Sequence, residues 1–127
     1  MNGLKFISAE EIIEFHDRIL TVTPGLQGLS DPGRVEAIIS RVINLHEYES
    51  ISDVITLGAA HLIAVARGHV FTDGNKRTAL MVALIFLKRN GVQLAKSDSL
   101  VELTVDCAAG VINLPDAAER LRLLVSH

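Results

Sequence analysis

A short polar stretch that runs directly into a long apolar segment decides how this chain folds. The stretch reads His69-Val70-Phe71-Thr72-Asp73-Gly74-Asn75-Lys76-Arg77 and is preceded by Gly68. The segment Ala79–Leu87 that follows is entirely apolar and ends at two cations, Lys88 and Arg89. A membrane span needs about 20 apolar residues, so this shorter segment predicts a buried core helix. We expect that helix to run from about Asn75 to Asn90, with Gly91 as its C-terminal cap.

The chemistry placed at the start of this helix indicates a phosphate site. Backbone N–H groups and the positive end of a helix attract anions, and Lys76 and Arg77 add full charges. Gly74 permits a tight loop whose amides point at the anion. Asp73 is a hard ligand suited to magnesium. His69 is a candidate general base, because an unperturbed imidazole has a pKa of about 6.5.

The stretch closely resembles the signature of the Fic/Doc family, His-x-Phe-x-(Asp/Glu)-Gly-Asn-(Gly/Lys)-Arg, and matches it at every specified position. The lysine-containing form is typical of the Doc toxins. Three further segments are Doc-like, so the resemblance covers nearly the whole chain: Ser30-Asp31-Pro32-Gly33-Arg34, Ala66-Arg67-Gly68 and Arg89-Asn90-Gly91-Val92.

The resemblance implies a toxin of a toxin–antitoxin pair, an ATP- and Mg²⁺-dependent protein kinase that inhibits translation. It would transfer the γ-phosphate of ATP to a serine or threonine hydroxyl of elongation factor Tu. His69 would be the base, and Asp73 would hold the magnesium that bridges the nucleotide phosphates. The residues that would surround the phosphates are Gly74, Asn75, Lys76 and Arg77. The implied inhibitor is a Phd-like antitoxin whose disordered C-terminal tail folds as a helix in a groove of the toxin.

Two other functions stay open. A Fic-type adenylyltransferase would use the same base and metal but transfer AMP. Such enzymes usually carry glycine where this chain has Lys76, and longer versions carry a second arginine where it has Leu80. Both differences favour phosphoryl transfer. The other alternative is an inactive nucleotide-binding module that acts only through partners, although the signature is intact.

Length and composition favour one all-α domain, residues 1–127, built as a compact six-helix Fic/Doc-type bundle around a central buried helix. Of the 127 residues 49% are hydrophobic but only 4% aromatic, so aliphatic side chains must fill the core. The net charge of −3 argues against direct nucleic-acid binding. The lone Cys107 fits a reducing cytoplasm, and no secretion signal or membrane segment is expected. We expect the free protein to be a monomer.

Helix start signals outside the signature predict the other five helices. Ser8 and Glu11 form a capping-box pattern before a helix that ends near residue 20, and residues 21–31 are predicted to be a loop. The remaining expected starts are Asp31-Pro32, Ser52, Ser97 or Asp98, and Pro115. No period-two alternation predicts a strand. Residues 21–31 and 44–52 are the candidate segments for docking the target.

Three features have plainer interpretations. His46-Glu47-Tyr48-Glu49-Ser50 begins like a zinc site, but Ser50 stands where the second histidine is needed. His16 and His61 are single histidines within helices, which are more often partly buried or surface residues than ligands. Cys107 is expected to be a buried, inert thiol.

Overall fold

A computed structural model of the chain describes residues 3–25, 28 and 32–126. This part of the chain contains six α-helices and no β-strand, so the predicted all-α class is confirmed. An isolated antiparallel bridge joins Leu94 to Val125. The helices are α1 (Ala9–Val22), α2 (Pro32–Glu47), α3 (Val54–Gly68), α4 (Asn75–Arg89), α5 (Ser99–Ala109) and α6 (Leu114–Arg122).

Most helix starts follow the sequence signals, with two corrections. The capping box of α1 is present: the Ser8 side chain accepts from the Glu11 N–H, and the Glu11 side chain accepts from the Ser8 N–H. Asp53, not Ser52, caps α3, because its carboxylate reaches the N–H groups of the first turn. Helix α6 begins one residue before Pro115, where Asn113 provides the cap.

The remaining boundaries also refine the sequence prediction. Asp31, the expected cap of α2, lies outside the described residues. Both residues proposed to start α5 take part, since Asp98 is the cap and the Ser97 hydroxyl accepts from the N–H of Ser99. Gly91 has the positive φ of 85° that a helix-terminating glycine needs.

The apolar segment within α4 lies in the core as expected, and every residue from Ala79 to Leu87 is buried or half-buried. Helix α3 shares this central position and packs against α2, α4, α5 and α6. Gly58 lets α3 and α4 approach closely, because a Cβ there would lie 2.7 Å from the Leu87 side chain. The start of α3 and the end of α4 are thus closely packed against each other.

Three long-range polar contacts hold other helices around this pair. Arg89 at the end of α4 pairs with Glu11 of α1, and this hydrogen-bonded guanidinium lowers the pKa of Glu11 to about 2. Arg34 of α2 donates to the carbonyl of Gly68 at 3.1 Å. Arg67 donates to the carbonyl of Cys107 at 2.6 Å. The last two contacts fix the end of α3 immediately before His69.

Among the described helices, none is both long and apolar enough to cross a membrane.

Candidate active site

The signature stretch forms the turn between α3 and α4 and lines one side of a cleft of about 390 Å³. All of the predicted site residues border this cleft, so the structure brings them together. The lining residues are Ala66, His69, Thr72, Asp73, Gly74, Asn75, Lys76, Arg77 and Ala108.

His69 lies exposed at the mouth of the cleft, in a strained backbone conformation. It is the C-cap of α3, with φ 48° and ψ 40°. This left-handed region costs an L-residue roughly 1–2 kcal/mol. Strain of this kind is typical of functional sites, where the surrounding structure enforces it. The imidazole is therefore presented to solvent while the next two residues, Val70 and Phe71, enter the core.

Asn75 braces the loop from inside. Its side-chain oxygen accepts from the N–H of Phe71 at 3.2 Å, and its amide nitrogen donates to the carbonyl of Phe71 at 2.9 Å. Phe71 itself is buried in the core. The Asn75 side chain thus fixes the loop, and the expected place of Asn75 among the residues that surround the phosphates stays a prediction.

The start of α4 provides the anion-binding end of the site. Gly74 is the N-cap, with φ 78°, and its carbonyl accepts the first helical bond from the N–H of Thr78 at 2.9 Å. The N–H groups of the three residues between them belong to the first turn, which has no intrahelical acceptors for them. Lys76 lies on this turn, exposed, and has no ion-pair partner among the described residues. The N-terminal end of α4 and the Lys76 side chain thus face the same cleft.

Asp73 has the exposure and orientation that the expected magnesium ligand needs. Its Oδ1 accepts from the N–H of Gly74 at 2.8 Å, and its side chain is 50% exposed toward the cleft. It is the only carboxylate among the described lining residues, and no group of three or more potential metal ligands occurs in the described part of the chain. Magnesium bound to a nucleotide needs only one or two protein carboxylates, because phosphates and waters complete the shell.

Arg77 links the site to the end of α1. Its guanidinium donates to the Thr23 hydroxyl and, at 2.9 Å, to the carbonyl of Pro24, and it lies 4.0 Å from the Asp73 carboxylate. A Cβ on Gly25 would lie 3.1 Å from both the Arg77 and Asp73 side chains. The loop predicted from residue 21 in fact begins after Val22, and its described residues Pro24 and Gly25 lie beside Arg77.

His16 is a site residue that the sequence interpretation missed. It is 1% exposed, not partly exposed as expected for a single helical histidine. Its Nε2 lies 2.6 Å from the carbonyl oxygen of Asp73, and its ring stacks on Phe71 at a centroid distance of 3.7 Å. A polar residue within the apolar pattern of α1 was the only available signal.

The other isolated features are structural. His61 is completely buried and stacked on Phe86, and burial lowers its pKa to about 4. His46 Nδ1 donates to the carbonyl of Ile51 at 2.9 Å, so Nδ1 carries the proton. Cys107 is buried as predicted, and burial raises the pKa of its thiol.

Comparison with known proteins identifies the family of this chain. The Fic/DOC family model matches residues 6–87, which span α1 to most of α4. The chain belongs to the Fic/Doc family. It is 50% identical over 121 residues to a protein named protein kinase doc from Escherichia phage P1, covering 95% of this chain and 96% of that protein.

A second Fic/Doc relative is more distant. The toxin Doc of Mycolicibacterium smegmatis is 38% identical over 87 residues, covering 65% of this chain and 61% of that protein. The phage relative is thus matched almost end to end and the mycobacterial one over part of its length.

Proposed function

We propose that this chain is a Doc-type toxin that transfers the γ-phosphate of ATP to a serine or threonine hydroxyl of elongation factor Tu. The observation that carries the proposal is the cleft at the start of α4, where His69, Asp73 and Lys76 face the same space. Likeness to a protein kinase over nearly the full length of both chains supports it. Such a modification would stop translation in the cytoplasm.

In this mechanism the acceptor hydroxyl loses its proton to the exposed imidazole of His69 as its oxygen attacks the γ-phosphorus. The bond to the β-phosphate oxygen breaks, and ADP leaves. The first-turn N–H groups of α4 and the Lys76 ammonium stabilise the charge that develops on the phosphoryl oxygens. Magnesium, held by Asp73, would neutralise phosphate charge when bound.

Arg77 requires a rearrangement in this account. Its guanidinium donates to the Thr23 hydroxyl and the Pro24 carbonyl in this structure. These are neutral acceptors, whereas a phosphate offers stronger, charge-assisted bonds. We expect Arg77 to turn toward the β- and γ-phosphates when nucleotide binds, which would also release the end of α1.

Lys76 separates this function from AMP transfer. Its side chain occupies the first turn of α4, where a glycine would leave open backbone for a phosphate to approach. A cation is disfavoured at a helix N-terminus, so its position there makes sense when an anion is bound. Leu80, one turn later, is half-buried against the core. It stands where longer AMP-transferring enzymes carry a second arginine. Adenylyl transfer is the second candidate.

The antitoxin helix would bind in an apolar groove, and the groove between the segment before α1 and helix α2 fits it best. This space measures about 470 Å³ and includes Phe6, Ile39 and Ile43. Glu36 at its edge can pair with a basic residue of the bound helix. A single tail helix with an apolar face would complete the core here.

Intact-mass spectrometry of purified elongation factor Tu after incubation with this chain and Mg·ATP tests the proposal. We expect the mass of one phosphate to be added, and the same incubation with His69→Ala to leave the factor unmodified. An added AMP would favour the adenylyltransferase alternative. An unmodified factor under both conditions would exclude this target.

A further inference from the structure

We propose that His16 is a positioning residue for phosphoryl transfer, which fixes the turn at Asp73 from the buried side. This inference rests on the proposed function, because it assigns Asp73 to the metal. His16 lies on α1, 57 residues away in sequence, yet its Nε2 contacts the Asp73 carbonyl oxygen at 2.6 Å. It is buried, so the contact is shielded from water.

The direction of this hydrogen bond follows from its partners. A carbonyl oxygen can only accept, so His16 Nε2 carries the hydrogen and donates. On the other side of the peptide unit, the Gly74 N–H donates to Asp73 Oδ1. His16 therefore anchors the Asp73 carbonyl, and the following amide anchors the Asp73 carboxylate. Together the two bonds set the direction in which the carboxylate faces the cleft.

Ring packing makes His16 a rigid anchor. Its plane lies 6° from that of Phe71, with the centroids 3.7 Å apart. A Cβ on Gly74 would lie 3.5 Å from its Cδ2 and Nε2 atoms. His16 thus contacts Phe71 and Asp73 and lies beside Gly74, while the Asn75 side chain bonds the backbone of Phe71. Displacing a reactive group by even about 1 Å can cost about a hundredfold in rate.

A role in packing alone is the competing explanation, and three variants separate the two. His16→Phe keeps a ring that can stack on Phe71 but removes the donor. His16→Gln places an amide nitrogen the same number of bonds from Cβ as Nε2, so it can restore the donor. His16→Asn places its amide at the level of Nδ1 instead and cannot reach the Asp73 carbonyl.

We expect His16→Phe and His16→Asn to lower kcat by roughly 10- to 100-fold and to require more magnesium, since supporting groups around metal ligands have effects of this size. His16→Gln should recover most of the loss, with little change in KM for the protein acceptor. Equal activity of all three variants and the wild type would overturn the proposal. So would equal loss in the Gln and Asn variants.

His61→Phe is the matched control. His61 is also buried, stacked on a phenylalanine and bonded to a backbone carbonyl, that of Leu57, but it lies in the core between α3 and α4. Thermal denaturation should show comparable stability changes for the two His→Phe variants. Only the His16 variant should change the magnesium dependence.

Two measurements test the positioning without turnover. Calorimetry should detect weaker magnesium-dependent binding of a non-hydrolysable ATP analogue to His16→Phe. Hydrogen exchange followed by NMR should detect a faster-exchanging Gly74 amide in the same variant. An unchanged Gly74 amide with unchanged binding would contradict positioning even if the wild type proved to be a kinase. If the wild type transfers no phosphate at all, the proposed function fails first, and a faster-exchanging Gly74 amide would still identify His16 as the anchor of the turn.

Discussion

At the scale of single residues, His69 combines a strained backbone, an exposed side chain and an imidazole that can accept a proton. Its left-handed backbone at φ 48° is a conformation that glycine adopts without penalty. A histidine in such a position is consistent with the proposed role of its side chain, because the fold alone would favour glycine. Stability and activity should therefore respond in opposite directions when it is replaced.

His69→Gly is expected to abolish phosphoryl transfer without destabilising the protein. Relief of the left-handed strain, about 1–2 kcal/mol, should match or exceed the greater chain entropy of glycine, about 0.5–1 kcal/mol. Loss of the base should lower kcat by 10²–10⁴-fold. Urea unfolding and a transfer assay measure the two effects, with His69→Ala as the comparison that loses the base but keeps the strain. Full activity in a folded glycine variant would remove His69 from the mechanism.

Asp73→Asn separates metal binding from loop structure. The amide oxygen of asparagine can still accept from the Gly74 N–H, so the turn should survive. A neutral amide is a poorer ligand for magnesium, so kcat should fall steeply and the magnesium requirement should rise. Magnesium titration of the transfer rate is the measurement. Undiminished turnover would assign Asp73 a purely structural role.

At the scale of elements, α3 and α4 carry both the core and the site. The bounds of α4 could be predicted closely because an apolar run, first-turn polar residues and Gly91 all indicate the same helix. The long-range contacts that anchor its first turn could not be predicted. His16 and Asp73 are 57 residues apart, and no local pattern encodes which buried donor meets which carbonyl. The Arg77 contact with Pro24, across 53 residues, was hidden for the same reason.

The interface of α3 and α4 also makes stability depend on pH. Burial lowers the pKa of His61 from 6.5 to about 4 in the folded state. The unfolded chain therefore takes up a proton first as pH falls, and stability decreases from about pH 6.5 downward. Between pH 7.5 and 5 the loss should be about 2 kcal/mol.

His61→Phe should remove most of this dependence. Urea unfolding at pH 7.5 and pH 5 measures it, above the range where the acidic groups paired with arginines, Glu11 and Asp53, take up protons in the folded state. The same pH dependence in the variant and the wild type would show that His61 is not its source.

At the scale of the whole molecule, the all-α class and the cluster of site residues could be predicted because the signature and the helical patterns are local. Features that depend on the packing of the helices could not be predicted. The sequence resemblance implied a groove for an antitoxin tail but did not place it. Only the structure distinguishes the groove at Ile43 from a second apolar groove, on the other side of α2, that contains Ile63.

These two half-buried isoleucines provide a matched pair for the antitoxin. Calorimetry with the antitoxin tail should give a large negative heat-capacity change, because coupled folding buries apolar surface. Ile43→Asp should weaken binding by at least about tenfold, as one buried apolar side chain is worth about 1.5–3 kcal/mol. Ile63→Asp should bind like the wild type. The reverse order would place the tail in the second groove, and no binding by either protein would count against an antitoxin of this kind.

The central claim is that the cleft at the start of α4 transfers the γ-phosphate of ATP. The most direct measurement incubates the wild type and Lys76→Gly with elongation factor Tu and ATP labelled at either the α or the γ position. The wild type should transfer the γ label alone. Lys76→Gly should lose most of that transfer, because a charge-assisted phosphate contact is removed, without gaining efficient α transfer while Leu80 stands in place of a second arginine. Transfer of the α label and not the γ label by the wild type would contradict the kinase assignment and establish AMP transfer instead.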